Sequence, residues 1–143
     1  MNFLKKSLFT TILLSQILQS QELLKTQTSW DGGSIAYPKG KAEITSIKLK
    51  IDEGVTSKFH CHPVPTLGYI LKGSVEIETI DGKKVVLKEG DSAVEVMGTI
   101  HRGKAVDSSV EILVFYAGSV DTPTTVLAEN DPDYKHCKKA LNN

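Results

Sequence analysis

Residues 59–73 read FHCHPVPTLGYILKG, and two of the chain's four histidines, His60 and His62, stand one residue apart in a run that otherwise reads as β-strand. Successive strand side chains point to opposite faces, so these two imidazoles share a face, roughly 7 Å apart at the backbone. From there both can converge on one ion. Cys61, between them, points to the other face.

Outward from this stretch the chain keeps reading as short strands parted by turns. Ala42 to Ile51 (AEITSIKLKI) alternates in its second half, with Ile47, Leu49 and Ile51 opposite Lys48 and Lys50. Asp52-Glu53-Gly54 makes a turn. After Lys72-Gly73, Ser74 to Ile80 alternates again, and Asp81-Gly82 is expected to supply the positive-φ residues of a two-residue hairpin turn returning through Lys83 to Lys88. Glu89-Gly90-Asp91 turns once more before Ser92 to Val96. Val110 to Tyr116 (VEILVFY) is apolar nearly throughout, as expected of a strand covered on both faces. Close-spaced strands with Gly-centred turns predict an all-β fold, an antiparallel barrel or jelly roll. With 143 residues and no internal repeat, one domain is expected.

The first twenty residues read differently. Lys5 and Lys6 precede an uncharged, largely apolar stretch from Ser7 to Gln21, too short for a stable membrane span. This is the pattern of a secretory signal peptide ending near Ser20, although Leu18 is a poor match to the small residue usual two positions earlier. The expected organisation is therefore a signal peptide at 1–20, an N-terminal arm at 21–40, a barrel at 41–118 and a tail at 119–143. The protein is expected outside the cytoplasm, in the periplasm or beyond the cell. Formal net charge is zero and no basic run is present, which argues against nucleic acid as a partner.

His101 follows the turn Met97-Gly98-Thr99-Ile100, two hairpins after the His60–His62 pair, at a distance from which a closing barrel could return it beside them. Three imidazoles suffice to hold a divalent first-row ion with positions left open for water or substrate. An unaided H-x-H is more often a satisfied core or surface pair. His136, in the polar tail, reads as a surface residue. Cys61 has one possible intramolecular partner, Cys137. An exported setting favours a disulfide, while two separately packed thiols remain the alternative.

Two blocks also carry a resemblance. Gly54 to Gly73, with its His60-Cys61-His62 and Thr66, resembles the first motif of the cupin superfamily, and Gly90 to Ala105, with Gly98 and His101, resembles the second. The similarity spans roughly residues 41 to 118 and is strongest to small single-domain type-2 cupins. It implies a double-stranded β-barrel binding one divalent ion (Fe2+, Mn2+, Ni2+, Zn2+ or Cu2+) through His60, His62 and His101. Thr66 stands where the family places a fourth, glutamate ligand, and Val96 and Ala105 replace the usual proline and asparagine of the second motif. A Thr hydroxyl is a weak ligand, expected to hydrogen-bond a bound water instead. Three neutral imidazoles leave the full ionic charge, which favours an anionic or polar small molecule as partner.

Glu95 lies six residues before His101, as a substitute carboxylate or general base beside the ion, or as a surface residue on an exposed strand face. Tyr69, Arg102 and Tyr116 are candidates to orient a substrate, Tyr69 and Glu95 being the choices for catalysis; strand aromatics are nonetheless usually core, and an arginine after a turn usually solvated. The family precedent of three-histidine thiol dioxygenases points to oxygenase chemistry. A non-catalytic receptor for a metal or small ligand is the alternative, and a third reading pairs the histidines with one another. An unpaired edge strand at Ala42 to Ile51 would suit a homodimer.

Overall fold

A computed structural model describes residues 20–138. The expected signal peptide lies outside the described residues apart from Ser20. The elements in order are β1 (Ala42–Ile51), β2 (His60–Cys61), β3 (Thr66–Thr79), β4 (Lys84–Lys88), β5 (Ser92–Val94), β6 (His101–Ser119), β7 (Val126–Leu127) and a 3-10 turn at Ala128–Asn130. Among the described residues no helix is long and apolar enough to cross a membrane.

Two long strands, β3 and β6, pair antiparallel along nearly their whole length and bend midway, so that each serves two half-sheets. The first half of β3 and the second half of β6 are flanked by β5 and β1. The other halves are flanked by β4 on one side and by β2 and then β7 on the other. All these strand pairings are antiparallel, and the two half-sheets fold over one core as a jelly-roll barrel. The bend falls where the β3–β6 register shifts, between Ile70 and Ser74. Gly73 adopts φ +77° there, and a Cβ would run into the Ser109 carbonyl, so only glycine fits. What reads in sequence as a turn between two strands is thus a bulge inside one.

Alternation places Ile70, Val75 and Ile77 of β3 and Val110, Ile112, Val114 and Tyr116 of β6 in the main core, with Ile51 from β1. Each such aliphatic side chain contributes about 1.5–3 kcal/mol by leaving water. The expectation that Val110 to Tyr116 is covered on both faces does not hold: Leu113 is half-buried and Phe115 is exposed. Only the inner face of this half-sheet is sealed. The hairpin after β3 also differs from expectation. Thr79 N–H donates to the Lys83 carbonyl around three intervening residues, and of the Asp81-Gly82 pair only Gly82 has positive φ, at +87°. The longer loop needs one left-handed residue rather than two.

A second, smaller cluster lies on the outer side of β2, where Cys61 and Cys137 form a disulfide beside Ile100. The chain after β6 returns along β2 as β7, turns at Ala128–Asn130, and is gathered by buried Asp131, whose carboxylate accepts the backbone N–H groups of Lys135, His136 and Cys137 at 2.8–2.9 Å. These three bonds hold the Asp131 carboxyl below the usual carboxylate range, led by the bond from Cys137.

Candidate metal centre

The antiparallel register sets His60 of β2 directly opposite His101 of β6. Directly opposed residues send their side chains to one face. His62 follows just past the end of β2, bridged to Met97, and keeps the same face as His60. The three rings meet inside the barrel with centroids 4.6–5.1 Å apart. One ligand atom from each lies within 4.8 Å of the others. The H-x-H strand is shorter than expected, because Pro63 and Pro65 cannot extend the ladder.

Each imidazole is oriented by a backbone carbonyl: His60 Nδ1 lies 2.8 Å from Lys58 O, His62 Nδ1 2.9 Å from Thr124 O, and His101 Nδ1 2.8 Å from Thr99 O. A carbonyl only accepts, so in all three rings Nδ1 carries the proton and Nε2 presents a lone pair. The Thr125 hydroxyl shares His62 Nδ1 at 3.2 Å. Burial disfavours the charged rings and lowers all three pKa values, that of His62 to about 3, with the neighbouring histidines adding to the effect there. Three neutral acceptors facing one another cannot pair among themselves, which excludes the third sequence reading. They can share a cation.

Glu95 completes the floor. It follows β5, points inward rather than to solvent, and brings Oε2 within 3.6 Å of His101 Nε2. The side chain keeps 20% exposure, as a wall of the internal cavity, while Oε2 is buried without a hydrogen-bond partner. Desolvation raises its pKa to about 7. The Trp30 indole N–H approaches the same carboxyl and partly offsets that rise without closing a good hydrogen bond. Trp30 reaches the site because its backbone N–H donates to the Val94 carbonyl at 3.0 Å. An orphaned carboxylate oxygen beside three converging lone pairs fits a divalent ion: two ligands at about 2.0–2.2 Å from one ion lie roughly 3–3.5 Å apart, and modest side-chain rotation closes the remaining gap.

The other candidates separate. Tyr116 lines the cavity with its ring 5.5 Å from His62. Thr66 lines it too, its hydroxyl donating to the Val64 carbonyl at 3.0 Å. Tyr69 does not reach the cavity; it is half-buried, opposite Leu113 and Ser92. Arg102 lies outside as well, over the Phe59 ring and bonded to Glu78 at 2.7 and 3.0 Å. His136 is exposed. Sequence reasoning missed Thr124 and Thr125, which leave no side-chain signature of a ligand-orienting role, and Trp30, for which being the sole tryptophan was a usable signal.

The cavity above the histidines has a volume of about 340 Å³. A larger groove of about 780 Å³ runs between the N-terminal arm and the ends of β1, β3 and β6 and holds none of the histidines. The smaller cavity is the one lined by all three histidines.

The family model for the cupin domain matches residues 48–116, the stretch that builds this barrel and supplies all three rings. The barrel is a cupin domain. Solved cupin-fold structures superpose on it. DMSP lyase DddQ from Ruegeria pomeroyi DSS-3 does so with TM-score 0.54 and 24% identity over 62% of this chain and 44% of its own. Oxalate decarboxylase from Lactobacillus farciminis gives 0.52 and 15% over 59% of this chain and 26% of its own. An oxalate oxidase structure gives 0.50 and 20%, over 59% and 46%. The cupin domain thus spans less than half the length of these proteins, and identity at this level shows the fold alone. No curated protein sequence matches the chain.

Proposed function

We propose that the cupin domain holds one divalent first-row metal ion on Nε2 of His60, His62 and His101 and acts on a small polar or anionic molecule as a metal-dependent dioxygenase. The observation that carries this reading is the convergence of three lone pairs, each fixed by a proton committed to a carbonyl on the far side of its ring. When bound, the ion supplies a Lewis acid with coordination positions left over for substrate and dioxygen. The chain's own residues do the rest. The carbonyls of Lys58, Thr124 and Thr99 keep the rings from turning away. Glu95, with a free carboxyl oxygen at the floor, takes a proton from the ligand's head group or joins the ligand set. The aliphatic walls exclude water.

A receptor without catalysis is the second reading, supported by Thr66, which leaves the first motif without its carboxylate. Metal analysis of the purified protein, followed by oxygen consumption of the iron(II)-loaded form with thiols, phenols and keto acids, tests both. Stoichiometric metal without oxygen uptake on any class favours the receptor, and absence of metal overturns both.

Export is part of the same proposal. Its support is the Cys61–Cys137 disulfide, which persists in an oxidising compartment. A homodimer through β1 is supported by that strand pairing, among the described residues, with β6 alone, and by Ile44, 67% exposed on it; sedimentation velocity tests it.

A further inference from the structure

The walls of the cavity say more about the ligand than its floor does. Above the histidines, β1 contributes Ile47 and Leu49, β6 Ile112 and Val114, and β3 Ile77. All are aliphatic. Beyond the histidines and Glu95, the polar side chains that line the cavity are Ser57, Lys58, Thr66, Tyr116 and Thr125. Among the described residues the one cationic side chain lining the cavity is Lys58, 69% exposed and already ion-paired with Glu129 at 2.8 Å. Arg102, the nearest candidate in sequence, is turned outward onto Glu78.

Charge narrows the choice. One anionic head can meet the ion at the floor, and the aliphatic side chains above it offer nothing to a second charge. A second anionic group on the same ligand would be desolvated among aliphatic side chains with no cation to meet it, which is costly. Resting on the metal reading above, we propose that the ligand is a small amphipathic monoanion. Its single anionic head reaches the ion, and its uncharged hydrocarbon body fills the space between β1, β3 and β6. A volume of about 340 Å³ holds about ten water-sized groups, which sets the size of the body. Ile47 and Leu49, 38% and 39% exposed, form the mouth through which that body enters.

Cobalt(II) is the probe for the ion and straight-chain carboxylates are the probes for the ligand. The protein is loaded with cobalt, its metal content measured, and the affinities of acetate through octanoate determined by calorimetry beside those of dicarboxylates of matched length. Affinity is expected to rise about fourfold per added methylene until the cavity is full. The matched dicarboxylates are expected to bind at least tenfold more weakly. Leu49→Lys, a change at the half-exposed mouth, is expected to raise dicarboxylate affinity about tenfold by giving the second charge a partner. A flat chain-length series, or dicarboxylates bound as tightly as monocarboxylates, in protein carrying its full cobalt overturns this inference and leaves the metal seat standing. Protein that takes up no cobalt overturns both.

Discussion

The two faces of β2 carry opposite kinds of order. Inward, His60 and His62 present lone pairs toward one another and toward His101 across the cavity. Outward, Cys61 is wholly buried and covalently tied to Cys137 amid apolar neighbours. One face is held open for something to bind; the other is fastened. The contrast shows how a three-residue stretch supports both, since the rigidity required of the open face is supplied from its back.

The largest expected effect breaks the fastened side. Cys137→Ala removes a cross-link spanning 76 residues of sequence. It is expected to cost about 4 kcal/mol in the chain-entropy account, measured by urea unfolding against the oxidised parent. Reduction of the parent should reproduce the loss. On the open side, His62→Ala is expected to weaken metal binding by at least a hundredfold in equilibrium dialysis while costing the metal-free protein only about 1–3 kcal/mol, for the Thr124 carbonyl left without its donor. A variant that lost stability but kept its metal would erase the contrast.

A finer probe is Thr125→Val, which withdraws the hydroxyl from His62 Nδ1 and leaves the Thr124 carbonyl in place. A loss of metal affinity of about tenfold is expected, seen in a competition titration with a chelator. The smallest effect concerns acid. The Asp131 carboxyl has a folded pKa below its ordinary value of 3.8, so its contribution to stability is complete above that value and is lost as pH falls through the lower folded value. Thermal unfolding at stepped pH should therefore show a decline below about pH 4 that Asp131→Asn makes shallower, the lowered carboxyls of Asp31, Glu78 and Glu111 supplying the remainder.

Much of this was legible in the sequence because it depends on spacing. The alternation around His60 and His62 and the turns at Gly54 and Gly90 read as strands and bends, and the resemblance of the Gly54–Gly73 and Gly90–Ala105 blocks to the cupin motifs implied a barrel with His60, His62 and His101 at one site. Alternation assigned Ile47, Leu49 and Ile51 to one side of β1, and all three line the cavity. Illegible features arose where one local pattern serves two geometries. Gly73 reads equally as a turn and as a bulge, and only the Ser109 carbonyl pressed against it decides. Glu95, just past a three-residue strand, has no alternation long enough to fix its direction. The Thr124 carbonyl is a backbone group, and backbone groups are identical in every residue.

The His60–His101 register has a consequence for how this chain can change in length. Insertions in the Ile80–Lys83 loop lie beyond the paired residues and leave the ring positions as they are. A one-residue deletion between His101 and Val106 would reverse the side chains of β6 on the His101 side of the deletion, turning Arg102 toward the cavity and His101 toward solvent. Related chains should therefore vary freely in length at that hairpin and hold a fixed count through the strand beside it.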